Sequence, residues 1–373
     1  MSDDSNEQGD AVADFAGRVF GSALGGLEIL SIYLGDRLGW YRALAESGQL
    51  SSTELARRTA TQERYAREWL EQQAVSGILT VEGTDAADAA NAAPVAASDR
   101  RFSLPAAHAE VLADGTSLDY LAPSVRMFAA AAAQLPQLLD VYRAGGGVSW
   151  QQLGADAHES QGDMNRPWFE KRLAPALTSV GSLHEVLSRP GAHIADVGCG
   201  HGWSTLALAR AYPAARVEGF DVDQPSIEAA RRHAAEAGLG EHVRFHLVGG
   251  EELAAEGRFD AAFVFEAVHD MPHPVEVLAA VRRAVRDDGQ VVIMDEAVAE
   301  RFAPDGDDVE RYMYGFSLVV CLPDSLSSPG SVGTGTVMRQ STLEDYSRQA
   351  GFSGIEELPI EGFASFRFTR LVR

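Results

Sequence analysis

The segment His193-Ile-Ala-Asp-Val-Gly-Cys-Gly-His-Gly-Trp-Ser-Thr205 decides the fold. Its apolar run, Ile194 to Val197, reads as a buried strand, its glycines as a turn, and Trp203 to Tyr212 as an alanine- and leucine-rich helix. A strand that feeds a helix through glycines brings backbone N–H groups and the positive end of the helix close to a ligand. Arg216-Val-Glu-Gly-Phe-Asp221 then reads as a second strand ending in a carboxylate. That acid lies about twenty residues past the turn, where a Rossmann-type unit binds a ribose.

The glycine spacing separates two ligand classes. A dinucleotide loop runs G-x-G-x-x-G, whereas Gly198, Gly200 and Gly202 run G-x-G-x-G, with Asp196 two residues ahead. This pattern resembles motif I of the class I S-adenosylmethionine-dependent methyltransferases, and Asp221 matches their acid after the second strand. The resemblance implies S-adenosyl-L-methionine as cofactor, held by Asp196, Gly198, Gly200, Gly202, Asp221, Val222 and Phe265. Asp221 suits the ribose diol, because a carboxylate accepts two hydrogen bonds. Asp196 is expected to order the turn or to reach the methionine amine through water. Many members place an acid after the third strand for adenine; here Gly249-Gly250 stand there, followed by Glu251 and Glu252, either of which could substitute.

Downstream of His193 the alternation is regular. Strands are expected at 194–197, 217–221, 243–247, 261–265 and 291–295, with helices at 203–212, 224–237, near Glu251 and at 274–285. A last helix at 343–350 leads to strands at 354–358 and 364–372. Alternating strands and helices imply a parallel sheet covered on both faces, with ligands beyond the strand carboxyl ends. The closing strand pair, joined by a loop, is how the methyltransferase family adds its antiparallel seventh strand. The predicted class is α/β, a Rossmann-like seven-stranded methyltransferase sheet over 191–373 with an insertion at 301–339. That insertion, carrying Tyr312, Tyr314 and Phe316, should lie above the carboxyl edge; its aromatics read as core or as pocket wall.

Upstream, residues 1–10 are acidic and polar and read as a disordered tail. From Ala11 to Ser47 apolar residues recur at helical spacing, with a break near Gly35 or Gly39. Ser51 and Glu54 form a capping-box signature for a helix through Arg58, and Thr61 starts another, ending near Gly77. Residues 78–81 and 101–104 read as antiparallel strands, with a long mobile segment between them at 85–99. This is a winged-helix order over 11–115, which serves either DNA contact or dimerisation. Leu50 to Arg101 holds eight acids against six arginines, a poor match to phosphate. Residues 116–190 read as a helical linker and active-site cover, with one helix over 118–144, a glycine break at 145–147 and another helix over 167–187.

At 373 residues the chain exceeds one core, so two domains are expected. Lys+Arg of 31 against Asp+Glu of 54 gives −23, which disfavours nucleic acid and anionic membranes. Lys171 is the only lysine, a bias consistent with GC-rich coding or adaptation to salt. Cys199 and Cys321 give neither a disulfide framework nor a metal set by spacing. No signal peptide and no apolar run long enough to span a bilayer are read, so a cytoplasmic location is expected.

The stretch Phe265-Glu-Ala-Val-His-Asp270-Met-Pro-His273 follows the fourth strand of the α/β unit. Its His269-Asp270 pair resembles that of plant-type small-molecule O-methyltransferases, in which the histidine is the general base. Their acid after the fifth strand is matched by Asp295 or Glu296. Those enzymes also carry an N-terminal winged-helix dimerisation domain, which implies a homodimer. The whole chain is most similar to actinobacterial and mycobacterial winged-helix methyltransferases, through Asn165-Arg-Pro, Phe265–Met271 and Thr334-Gly-Thr-Val-Met338. The resemblance implies a small-molecule acceptor, with His269, Asp270 and Glu296 catalytic and Trp168, Met271, Tyr312 and Tyr314 near the acceptor. Two alternatives stand beside O-methylation. One is N- or C-methylation with a structural His269; the other is a winged-helix regulator that senses a ligand.

Overall fold

The computed structural model describes residues 2–82, 97–253 and 258–373. It divides into two compact units, Met1–Ala129 and Ala130–Arg373.

In the first unit, α1 (Ser2–Arg37) and α2 (Trp40–Ser47) are separated at Gly39, whose φ of 70° is left-handed. The helix begins at Ser2, so the expected tail over residues 1–10 is replaced by the first turns of α1. The sequence there is acidic, which suits the positive end of a helix. After β1 (Gln49–Leu50), α3 (Ser52–Thr59) opens on the expected capping box: the Ser51 hydroxyl accepts from Glu54 N–H and the Glu54 carboxylate accepts from Ser51 N–H. Then come α4 (Glu63–Val75), β2 (Thr80–Val81), β3 (Phe102–Ser103) and α5 (Ala106–Leu112). The strands pair antiparallel in the order β1-β3-β2, giving the wing; β1 was not read from the sequence because two residues carry no periodicity. The segment expected to be mobile, 85–99, lies mostly outside the described residues.

Trp40, Tyr41, Leu44, Leu55, Leu70 and Phe102 fill this unit's core. A side chain on Gly35 would strike the rings of Trp69 and Tyr41, so glycine lets α1 approach them. Asp36 takes two hydrogen bonds from Arg126, at 2.6 and 3.1 Å, with both side chains buried. Along α1, in contrast, Val12, Phe15, Val19, Leu24, Leu27 and Leu34 stay about half exposed or more. Asp10–Arg37 is long and apolar enough to cross a membrane by length and composition. This corrects the sequence reading that no stretch passes that test. Gly25 and Gly26 interrupt the apolar run without breaking the helix, which explains the oversight.

In the second unit the helices after α6 (Ala122–Ala133) are α7 (Leu135–Ala144), α8 (Trp150–Leu153), α9 (Ala155–Trp168), α10 (Ala174–Ser179) and α11 (Gly181–Leu187). The single helix expected over 118–144 is two, because Pro136 starts a new first turn in α7. Pro167 sits inside α9 instead of starting a helix, and a π-helical turn, Phe169–Leu173, follows it. Proline cannot donate the helical bond at its own position, and the wide turn begins two residues after it. Gly147 is closely packed: a Cβ there would overlap the backbone around Pro323 and Ser327.

The sheet contains β4 (His193–Val197), β5 (Arg216–Asp221), β6 (Val243–Leu247), β7 (Phe259–Phe265), β8 (Val285–Glu296), β9 (Gly354–Glu357) and β10 (Phe366–Val372). Their order is β6-β5-β4-β7-β8-β10-β9; β4 to β8 run parallel, and β10 is antiparallel to both neighbours. This is the expected seven-stranded Rossmann-like sheet. β7 is buried along its whole length, as a parallel strand covered on both faces must be. The covering helices are α12 (Trp203–Ala211), α13 (Gln224–Glu236), α14 (Pro274–Ala284) and α17 (Gln340–Gln349). The insertion forms α15 (Asp308–Phe316), a second π turn, Ser317–Cys321, and α16 (Leu322–Leu326). Strand order reverses between β4 and β7, so the carboxyl ends of these strands flank the crevice where such sheets bind ligands.

Candidate active site

At the end of β4 the chain turns through Gly198, Gly200 and Gly202, with φ of 76°, 47° and 80°. A Cβ on Gly202 would lie 2.8 Å from Ala230 Cβ and from the Phe245 ring, so this position requires glycine both for φ and for space. Gly200 has no neighbouring atom where a side chain would begin, and its N–H donates to Asp221 Oδ2 at 2.8 Å. Asp221 Oδ1 accepts from Asp223 N–H at 2.9 Å. The loop backbone thus fixes a carboxylate whose oxygens keep further acceptor capacity. Asp196, fully buried, receives the hydroxyls of Ser204 and Thr205 on Oδ2, at 2.7 and 2.6 Å, while Oδ1 has no partner. Burial pushes this carboxyl up to about 6, against the two hydroxyl bonds.

The segment after β7 lies directly on the glycine loop. A side chain on Gly198 would meet Ala267 Cβ at 2.8 Å and Met271 Cε at 4.0 Å. Between these two contacts stands His269, 2% exposed. Its Nδ1 lies 2.7 Å from Asp295 Oδ1 and 3.2 Å from Glu296 Oε2, and its Nε2 lies 3.4 Å from Asp270 Oδ1. Burial works against the imidazolium, but Asp270, Asp295 and Glu296 outweigh it and hold the ring well above the ordinary histidine range. Glu296 is pushed well up, first by burial and then by its acidic neighbour Asp295, whereas the His269 charge holds Asp295 below the carboxylate range despite burial. Of the two acids the sequence offered, Asp295 is the nearer to Nδ1 and Glu296 the second. Cys321, from the end of the second π turn, approaches the other edge of His269 together with Asp270.

The remaining residues named from sequence are scattered. Val222 is exposed, and Glu251 sits exposed on a short 3₁₀ turn. Phe265 is buried between Phe263, at 5.2 Å, and Phe169, at 5.4 Å, so its ring belongs to the core. Trp168 packs on Phe363 in the same cluster. Tyr312 stacks edge-on against Phe316, and Tyr314 accepts a hydrogen bond from Arg339, which also pairs with Glu310 at 2.7 Å. Met271 is the member of the expected acceptor set that the structure puts beside the glycine loop.

Two residues escaped the sequence reading of the site. Glu266 holds a left-handed backbone, φ 52°, a state that costs a non-glycine residue about 1–3 kcal/mol. Its carboxylate accepts from Asn165 Nδ2 of α9 at 2.5 Å, and burial pushes it up to about 7. Along the same helix a Cβ on Gly162 would lie 2.7 Å from the His201 ring, and Arg166 stacks 4.3 Å above Trp203, so α9 lies along the glycine loop. The second residue, Cys321, carried no motif. Asn165-Arg-Pro was the available signal for the first contact.

The methyltransferase-domain family matches residues 194–289, and the Rv2258c-like winged HTH domain matches residues 26–114. Residues 194–289 thus match a methyltransferase domain. A curated relative, the ubiquinone biosynthesis O-methyltransferase of Dechloromonas aromatica, is 33% identical over 113 residues, or 30% of this chain and 47% of that protein. The chain thus spans about half the length of the curated relatives it matches first. Among solved structures, the mitomycin 7-O-methyltransferase MmcR superposes with a TM-score of 0.70 at 20% identity, covering 97% of this chain and 99% of that one. Human N-acetylserotonin methyltransferase, solved with S-adenosylmethionine, gives 0.66 at 14% identity over 96% and 97%. These two likenesses show a fold shared over nearly the whole chain.

Proposed function

We propose that the protein transfers the methyl group of S-adenosylmethionine to an oxygen of a small apolar or aromatic acceptor, with His269 taking the proton. One observation carries the reading: Ala267 and Met271, on either side of a histidine held by Asp295, rest on Gly198 of the glycine loop. Donor cradle and proton acceptor therefore share one crevice. Two of the relatives named above are O-methyltransferases and the third was solved with S-adenosylmethionine, which supports the same reaction class.

The cradle fits the donor. Asp221 would take the ribose hydroxyls, the open side of Gly200 gives the ligand its approach, and the unpartnered Oδ1 of buried Asp196 offers a site for the methionine ammonium or its water. Glu251 is the available acid toward adenine. The bound donor supplies an electrophilic methyl on a sulfonium. The protein's own share is orientation and proton removal. With Nδ1–H donating to Asp295, His269 presents Nε2 as the acceptor, and the imidazolium that forms is stabilised by Asp270 and Asp295. The burial of His269 also suits a structural ring; in that reading the same crevice methylates nitrogen or carbon.

Two accompanying inferences rest on the first unit. Its exposed apolar face on α1 supports a homodimer, and its acidic balance argues against nucleic acid. The test of the main proposal is calorimetry with S-adenosylmethionine, followed by turnover of an identified hydroxyl acceptor by wild type and His269→Ala. Micromolar binding with loss of turnover is expected; no heat with wild-type protein overturns it. Light scattering should give twice the chain mass, and a gel-shift at physiological salt should show no DNA complex.

A further inference from the structure

The Nε2 edge of His269 faces more chemistry than proton removal needs. His269, Asp270 and Cys321 each offer one ligand atom, all within 4.8 Å of one another, and Nε2 lies 3.4 Å from Asp270 Oδ1. We propose that His269 Nε2, Asp270 Oδ1 and Cys321 Sγ form a binding site for one soft divalent cation of the Zn²⁺ class. A second set, His269 with Asp295 and Glu296, meets the same distance limit but needs Nδ1, which already donates to Asp295.

Four observations converge on the first set. Its donors are nitrogen, sulfur and oxygen, and a thiolate selects Zn²⁺ over Mg²⁺ or Ca²⁺. The bond from Nδ1–H to Asp295, 2.7 Å, is the outer contact that fixes the tautomer of a metal-binding imidazole and turns the Nε2 lone pair outward. Asp270 Oδ1 is a buried acceptor with no hydrogen-bond partner. Thr336, 3% exposed, places its hydroxyl against the Cys321 thiol, where it favours the thiolate. An orienting acid behind a catalytic base accounts for Asp295. It does not account for a thiol and a carboxylate gathered at the working edge, with a hydroxyl against the thiol.

Three protein donors leave a fourth position open, the pattern of accessible zinc sites. If the methyl-transfer reading holds, the cation competes with the acceptor's proton for Nε2, and micromolar Zn²⁺ inhibits turnover. Binding itself needs neither donor nor acceptor, so it is tested independently of that reading.

The test uses the full-length protein and Co²⁺ as probe, followed by absorption. Wild type is expected to bind one equivalent, with a near-ultraviolet thiolate-to-cobalt band that Zn²⁺ abolishes. Cys321→Ser should lose that band while keeping its melting temperature and its S-adenosylmethionine heat. Asp295→Asn should keep the band but weaken cobalt binding by ~10–100-fold, the usual cost of removing an outer partner. Absence of the band in wild type, its persistence in Cys321→Ser, or cobalt binding without it overturns the proposal.

Discussion

The two halves of the crevice are built on opposite plans. At the glycine loop, Asp221 has a backbone N–H on each oxygen, and Asp196 has two hydroxyls on one. The loop and its carboxylates come from 26 consecutive residues, 196–221. Around His269, carboxylates from 270, 295 and 296 and a thiol from 321 gather on a single ring, with buried acceptors left unpaired. The first region is largely hydrogen-bonded within itself, with Asp196 Oδ1 as its open buried acceptor. The second gathers groups whose titration is shifted by burial and by one another, which is where chemistry and ion binding are expected.

If that contrast is functional, changes at the two sites separate binding from turnover. The largest effect is expected from His269→Ala, which should lower turnover of a hydroxyl acceptor by ~10²–10⁴-fold while calorimetry shows unchanged donor affinity. Full retained turnover would make the ring structural and dissolve the contrast. Asp221→Ala should do the reverse. It removes a charged acceptor worth ~1.5–3 kcal/mol, weakening donor binding roughly ten- to hundredfold with the pH dependence of turnover intact.

Gly202→Ala tests the rigidity of the glycine-loop half. The added methyl meets Ala230 and Phe245 at 2.8 Å in a left-handed backbone, so urea unfolding should show a loss of about 1–3 kcal/mol. An unchanged midpoint would mean that the loop has room to relax.

Asp270→Asn should give the smallest and most specific effect. Asp270 is foremost among the charges that raise the ring above the ordinary histidine range. The active form is the neutral imidazole, so activity rises with pH through the pKa of His269. Removing the Asp270 charge lowers that pKa, and the rising limb of kcat/KM should move to lower pH. A limb that stays in place would assign the titration to another group.

How much of this was legible follows the same division. Gly198, Gly200, Gly202 and Asp221 were readable because a turn, a φ preference and a strand end are local properties. The strand alternation after His193 likewise foretold the parallel sheet, and only the edges of elements moved. Contacts with remote partners were not legible. Phe265 was expected at the cofactor, and its ring also packs on Phe169, nearly a hundred residues earlier. The disordered tail failed for another reason, since α1 continues through residues that composition alone assigns to solvent.

Sequence by itself determined the fold class, the cradle at 196–221 and the presence of a histidine beside acids, because each depends on spacing along the chain. Tertiary structure alone decided that Asp295 lies nearer Nδ1 than Glu296 does, that Glu266 meets Asn165, and that Cys321 reaches Asp270. Those outcomes depend on burial and on distances between segments 26 to 101 residues apart, which no local pattern encodes.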